Sequence, residues 1–163
     1  MTDEKALLRR YLDAQRNHIL GALDGLSDDD LRRPMLPSGW TCLGLVKHLT
    51  LADERYWFRC IVGAESTDYF PDEPGGDWLV APDVAADDII GAYRDEIDRA
   101  NELIRRTALD APPAWRDPLW EEWGRDFPDL RFILLHMIVE TATHAGQLDA
   151  VRELIDGRQW VVV

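Results

Sequence analysis

Basic residues are scarce in this chain. Eighteen Lys and Arg stand against 31 Asp and Glu in 163 residues, a formal net charge of -13, and a field of that sign repels phosphate backbones and anionic lipid headgroups. Nucleic acid and membrane surfaces are therefore excluded as expected partners. No uninterrupted apolar run approaches the roughly 18 residues that span a bilayer. The start, Met1-Thr2-Asp3-Glu4-Lys5, is charged and lacks the apolar centre of a signal peptide, so a cytoplasmic location is expected. Cysteine is nearly absent. Cys42 and Cys60 would lie about 27 Å apart on one helix at ~1.5 Å per residue, beyond disulfide reach. Without a C-x-x-C pair or a Cys/His cluster, neither a thioredoxin-like motif nor a cysteine zinc site is indicated. Internal repeats, a G-x-S-x-G elbow, a phosphate-binding glycine loop, His-Glu-x-x-His and a dinucleotide fingerprint are all missing. Gly75-Gly76 reads as a turn.

What is present is apolar mass in helical order. Hydrophobic residues make up 46% of the chain and seven are Trp, which is material for one sizeable core. A single domain over residues 1–163 is expected. Leu8, Leu12, Ile19, Leu23 and Leu26 form a stripe that predicts a helix over 3–26, with a short turn before Pro34. Thr41 as cap and the series Leu45, His48, Leu49, Ala52, Tyr56, Trp57 and Cys60 predict a second helix over 41–62. Residues 63–82 are rich in Asp, Pro and Gly and predict a long loop. A third helix is predicted over 84–107. Four prolines and three tryptophans between 108 and 128 predict an irregular connection that folds back on the bundle. The last helix is predicted over 129–156, stopped by Gly157. Four long helices make an all-α four-helix bundle the expected fold.

The chemistry lies in an interrupted apolar stripe. His136, Glu140, His144 and Gln147 are spaced four, four and three apart, so they share nearly one face of the last helix. Burying such a row is costly without partners. An i, i+4 pair can direct two side chains at one ion, with a third ligand from another helix, and His48 is the natural third. His136 and His144 cannot both bind the same ion, being about 12 Å apart along the axis at ~1.5 Å per residue. A purely structural hydrogen-bonded network satisfies the same spacing. A carboxylate-bridged di-iron site is excluded, because no His follows a Glu by three positions. Cys42 and Cys60 read as small core residues, His18 as structural or exposed, and Arg55, Arg59 and Arg131 as a solvated face. Trp40, Tyr56, Trp57, Tyr93 and Trp120 read as core or loop packing.

Two stretches carry a family resemblance. Thr41 to Trp57, with His48-Leu49, and His136-Met137-Ile138-Val139-Glu140-Thr141-Ala142-Thr143-His144-Ala145-Gly146-Gln147 resemble the DinB/YfiT-like superfamily of four-helix metalloproteins. The likeness is greatest to its actinobacterial mini-circle branch and covers nearly the whole length. It implies a divalent metal held by one His of the second helix and an i, i+4 pair of the last, which here are His48, Glu140 and His144. Glu140 stands where many relatives have His. A two-His, one-carboxylate set is compatible with zinc and with non-haem iron, with nickel as a further alternative. His136 falls beside the implied site, and Gln147 is placed to orient a ligand through a hydrogen bond.

The same resemblance implies an activity, since related proteins include S-transferases that use mycothiol or bacillithiol and a mycothiol-dependent isomerase. The expectation is a metal-dependent transferase that joins a low-molecular-weight thiol to a small electrophile, the thiol being a cofactor and not a protein cysteine. The alternatives are metal-assisted hydrolysis, for which no spare carboxylate is evident beside the ligands, and a non-catalytic stress-response module. A homodimer is compatible with any of them.

Overall fold

The computed structural model describes residues 3–65 and 70–160. Its described elements are all helical, as expected: α1 Glu4–Leu23, α2 Asp28–Arg32, α3 Cys42–His48, a π-helical segment Leu49–Val62, α4 Ala86–Arg106, α5 Leu119–Glu122 and α6 Leu130–Asp156. The caps explain the boundaries. Asp3 accepts from the Lys5 amide, Ser27 from Asp30, Thr41 from Gly44 and Asp129 from Phe132, each satisfying an amide that the first turn leaves unpaired. Gly157 ends α6 in the left-handed region at φ 77°, a conformation that costs glycine little.

The second helix departs from expectation. It is α-helical only as far as His48 and then continues in π register to Val62, with the Gly63 amide donating to the Phe58 carbonyl at 2.9 Å. Hydrogen bonds five residues apart stack Asp53 about one turn above His48. In α register, at 100° per residue, Asp53 would be rotated about 140° away. The π turns thus direct His48, Asp53 and Trp57 to one face and Glu54, Phe58 and Ile61 to another.

α1 packs along α6, and the π segment packs along α4. Leu12, Phe58, Ile61, Leu103, Ile133 and Met137 belong to one apolar cluster, and Ile19, Leu45, Leu49, Tyr93 and Leu148 to a second. Each such side chain contributes roughly 1.5–3 kcal/mol by leaving water. Arg16 of α1 reaches Glu54 of the π segment through two hydrogen bonds, 2.7 Å from Nε to Oε1 and 2.6 Å from Nη2 to Oε2. Both residues are 1% exposed, so the ion pair fixes the rotation of the π segment against α1. Among the described residues no helix is long and apolar enough to cross a membrane.

Candidate metal and thiol site

His48 ends α3 where the π turns begin. Its Nδ1 lies 2.6 Å from Asp77 Oδ2, and its ring stacks on Trp78 with centroids 4.1 Å apart. Asp77 and Trp78 come from the loop after the π segment, and α3 holds that loop in place. Lys47 Nζ donates to the Gly76 and Leu79 carbonyls at 2.7 and 2.6 Å. Gly44 lets the Trp78 carbonyl approach so closely that a Cβ there would stand 2.4 Å from it. Nδ1–H donating to Asp77 Oδ2 selects the tautomer whose lone pair is on Nε2.

His144 arrives from α6. Its ring meets that of His48 edge-on at 5.2 Å between centroids, and its Nδ1 is 3.0 Å from Gln147 Oε1. Burial, and next the neighbouring His48, push the His144 pKa below its ordinary value, so the ring is neutral at physiological pH. Gln147 therefore does hold the imidazole, and it does so from one turn ahead. Both histidines are held through Nδ1, which leaves Nε2 of each as the ring nitrogen not engaged by that contact.

Glu140 and His136 lie one and two turns before His144. His136 Nδ1 is 3.8 Å from Glu140 Oε1, and its ring packs edge-on against Trp57 at 4.6 Å. Desolvation lowers the His136 pKa, with Glu140 partly opposing it. Glu140 thus turns toward His136, not toward His48 and His144. Among the described residues, no three His, Cys, Asp or Glu side chains stand together as a ready-made ligand cluster.

A pocket of about 510 Å³ opens beside these groups and is lined by His48, Asp53, Tyr56, Trp57, Asp117, Trp123, His136 and Glu140, among others. Trp120 Nε1 donates to Tyr56 Oη at 3.0 Å, and Tyr56 donates to Asp117 Oδ2 at 2.9 Å. Trp123 stands 55% exposed among the lining residues. Sequence reading assigned Tyr56, Trp57 and Trp120 to packing, yet Tyr56 and Trp57 also face the pocket. A second cavity of about 550 Å³ is lined by Trp78, whose ring stacks on His48, by Trp40 and by apolar or uncharged groups plus Arg32. Arg32 is already bonded to Asp28 and to the Ala81 and Val84 carbonyls. The titratable groups are in the first pocket.

Sequence reading missed two carboxylates. Asp77 is far in sequence from His48 and carries no local motif. Asp53 belongs to the wrong face of an α-helix, and only the π register brings it to the pocket. It is the spare carboxylate that the sequence did not reveal. Its Oδ2 is buried without a hydrogen-bond partner, and burial first, then Glu54 and Glu140, raise its pKa well above the ordinary value. The loop around residues 68–78 shapes the site through Asp77 and Trp78, while 66–69 lie outside the described residues.

Other candidates are occupied elsewhere. Arg55 and Arg59 bind Glu96, Arg59 also binds Glu65, and Arg131 binds Glu4. His18 has a polar companion that its sequence neighbours do not show, Asp149 Oδ2 at 2.9 Å, and Trp160 stacks on it. Cys42 and Cys60 are buried and free. Desolvation pushes each thiol up to about 11, which removes them as nucleophiles near neutral pH.

No curated protein and no solved structure matches the chain significantly. The sequence model of the family described as mycothiol-S-transferase matches residues 7–157, from α1 through the end of α6, and so includes the helices that bear His48 and His144 and the loop that holds His48. Over that span the chain belongs to the mycothiol-S-transferase family, a DinB-like family.

Proposed function

We propose that this protein is a metal-dependent S-transferase that joins a low-molecular-weight thiol, mycothiol in the first instance, to a small electrophile. The metal would be held by His48, Glu140 and His144, with zinc the first choice and nickel or iron the alternatives. The observation that carries this reading is the meeting of His48 and His144 from two helices, each with Nδ1 bonded to an acceptor and Nε2 left as donor. That is how metal-binding imidazoles are ordinarily oriented. Glu140 lies one turn from both His136 and His144, so a change of side-chain rotamer exchanges its partner along the same helix.

A divalent ion here would lower the pKa of a coordinated thiol so that it is deprotonated at neutral pH. The protein's own groups supply the rest. Asp77 and Gln147 fix the two rings, Trp57 and Trp78 wall the site, and His136 stands beside Glu140 as its alternative partner. In the transfer the thiol gives its proton to solvent, sulfur bonds to the electrophilic carbon, and the bond from that carbon to the leaving group breaks, the leaving group departing with the electron pair. Both buried cysteines are too weakly ionised to replace the external thiol.

The test is conjugation of mycothiol to monochlorobimane by metal-loaded protein, paired with metal content per chain for wild type and His144→Ala. Thiol-dependent turnover, with about one ion per chain that is lost in the variant, supports the reading. Ester or amide hydrolysis without thiol would replace it with metal-assisted hydrolysis. Absence of both metal and turnover would leave a non-catalytic module.

A further inference from the structure

We infer that the pocket beside His48 takes a flat aromatic ligand with one anionic group, the ring lying on Leu119 and Trp123 and the anion meeting Arg125. Naming that ligand as the electrophile rests on the transferase reading above, whereas the ligand class rests on the rim of the pocket alone. α5 builds the rim. Trp120 faces inward, 2% exposed, and is anchored through Nε1 on Tyr56 Oη. Leu119 and Trp123, four residues apart and so on one face, are instead 44% and 55% exposed, and both line the pocket. Phe70, 46% exposed, lines it with them. Large apolar side chains gathered in the open at a pocket mouth form a surface for a ligand's apolar body.

The end of α5 sets Arg125 at the same rim. Gly124 is left-handed at φ 64°. Its amide donates to the Glu121 carbonyl at 3.2 Å and that of Arg125 to the Trp120 carbonyl at 2.8 Å, the paired bonds with which a glycine closes a helix. Arg125 leaves α5 at a fixed point and lines the pocket. Its charge reaches His136, where it adds to burial, the main cause, in lowering that ring's pKa. Among the described residues no carboxylate pairs with Arg125, although the chain holds 31 acids to 18 bases and Arg116 nearby holds Asp126 at 2.6 Å. The acids of the pocket lie deeper. Asp53 and Asp117 are 6% and 8% exposed, and Asp117 is engaged by the Tyr56 hydroxyl and the Leu119 amide. An anion at the rim therefore meets Arg125 first, and the guanidinium fork matches the two oxygens of a carboxylate.

An activated aryl chloride that bears a carboxylate meets both requirements, and a space of about 510 Å³ is ordinary for a ligand of that size. Its transfer balances: the thiol gives its proton to solvent, sulfur bonds to the ring carbon, and the carbon–chlorine bond breaks with chloride taking the electron pair.

Binding is measured by titration calorimetry on full-length protein without thiol, using two unreactive probes of matched shape, 3,5-dinitrobenzoate and 3,5-dinitrobenzamide. Wild type is expected to prefer the benzoate by about tenfold or more, the order of a hydrogen bond to a charged group. Arg125→Ala should bind both probes equally, Arg125→Lys should keep part of the preference, and Trp123→Ala should weaken both probes alike. Both positions are exposed, so melting temperatures should stay at the wild-type value. With mycothiol and metal present, Arg125→Ala should raise KM for 4-chloro-3,5-dinitrobenzoate by about tenfold at unchanged kcat, with no change for the corresponding amide. Equal affinity of wild type for the two probes, binding of neither, or a preference that survives in Arg125→Ala would overturn the inference. A preference lost in Arg125→Ala, with no thiol-dependent turnover of either chloride by wild type, would uphold the ligand class and overturn the transferase reading. Turnover of monochlorobimane by a wild type that shows no preference would do the reverse.

Discussion

His48 Nδ1 and Asp77 Oδ2 are 2.6 Å apart, a short charge-assisted contact between the end of α3 and the loop that follows the π segment. A carboxylate in that position fixes the tautomer and makes Nε2 a better donor. Asp77→Ala is therefore expected to weaken divalent-metal binding by about 10–100-fold while α3 keeps its helical signal. Chelator competition measures the first and circular dichroism the second. Unchanged affinity would reduce the pair to a loop anchor.

The same loop depends on a missing side chain. A Cβ at Gly44 would stand 2.4 Å from the Trp78 carbonyl, and a backbone atom cannot move aside as a flexible side-chain end can. Gly44→Ala should displace the segment bearing Asp77 and Trp78, cost about 1–3 kcal/mol as other overpacked sites do, and weaken metal binding along with Asp77→Ala. Thermal melting and chelator competition together check this. Loss of stability with full metal affinity would show that the loop retreats without releasing His48.

How much of this was legible in the sequence follows from the range of each signal. Helix ends are local: Thr41, Asp129 and Gly157 act on amides and carbonyls within a few residues, and they stand where their residue types predict. The alignment of His136, Glu140, His144 and Gln147 needs only an α-helix, which α6 is. Asp53 needs a register that residue types do not announce. Buried residues in the segment run 49–50, 53–54, 56–58 and 60–62, a pattern that does not by itself separate the π register from the α period of about 3.6. Asp53 and Glu54 are followed directly by Arg55, so the residue types alone read as a solvated charged turn, not as two buried acids. Asp77 belongs to a loop 29 residues from His48, and no periodicity reaches across such a distance.

The two cysteines give a pH-dependent prediction. Burial raises each thiol from 9.0 to about 11, so native protein carries about a hundredfold less thiolate per cysteine than an exposed thiol below pH 9. Iodoacetamide at pH 7.5 should label the denatured chain at both positions and the native chain at neither. The neutral thiol is favoured by folding, so this contribution to stability is complete below about pH 9 and is lost as pH rises from about 9 to 11. Fast native labelling at pH 7.5 would contradict the assignment and reopen a nucleophilic role for the chain's own sulfur.

The Arg16–Glu54 pair yields the largest expected effect on stability. Each partner is 1% exposed, so removing Glu54 leaves Arg16 buried with its Nε and Nη2 unpaired and Asp13 as its remaining counterion. Asp13 and Asn101 also bond Arg16, but from its Nη1 side, and neither reaches the Nε and Nη2 that Glu54 occupies. Glu54→Ala is expected to cost about 3–5 kcal/mol, a fall in melting temperature of roughly 6–20 °C at about 2–4 °C per kcal/mol. Replacing both partners with apolar residues, Arg16→Met with Glu54→Leu, should recover most of that loss, since the desolvation of two charges disappears with the pair. The two proteins should nevertheless differ from wild type at the metal site. The fork between Arg16 and Glu54 fixes the rotation of the π segment that sets Asp53 beside His48, and an apolar contact restores stability without restoring that directional constraint. A double variant with wild-type melting and weakened metal binding would show that the ion pair is kept for register; full recovery of both would assign the register to packing alone.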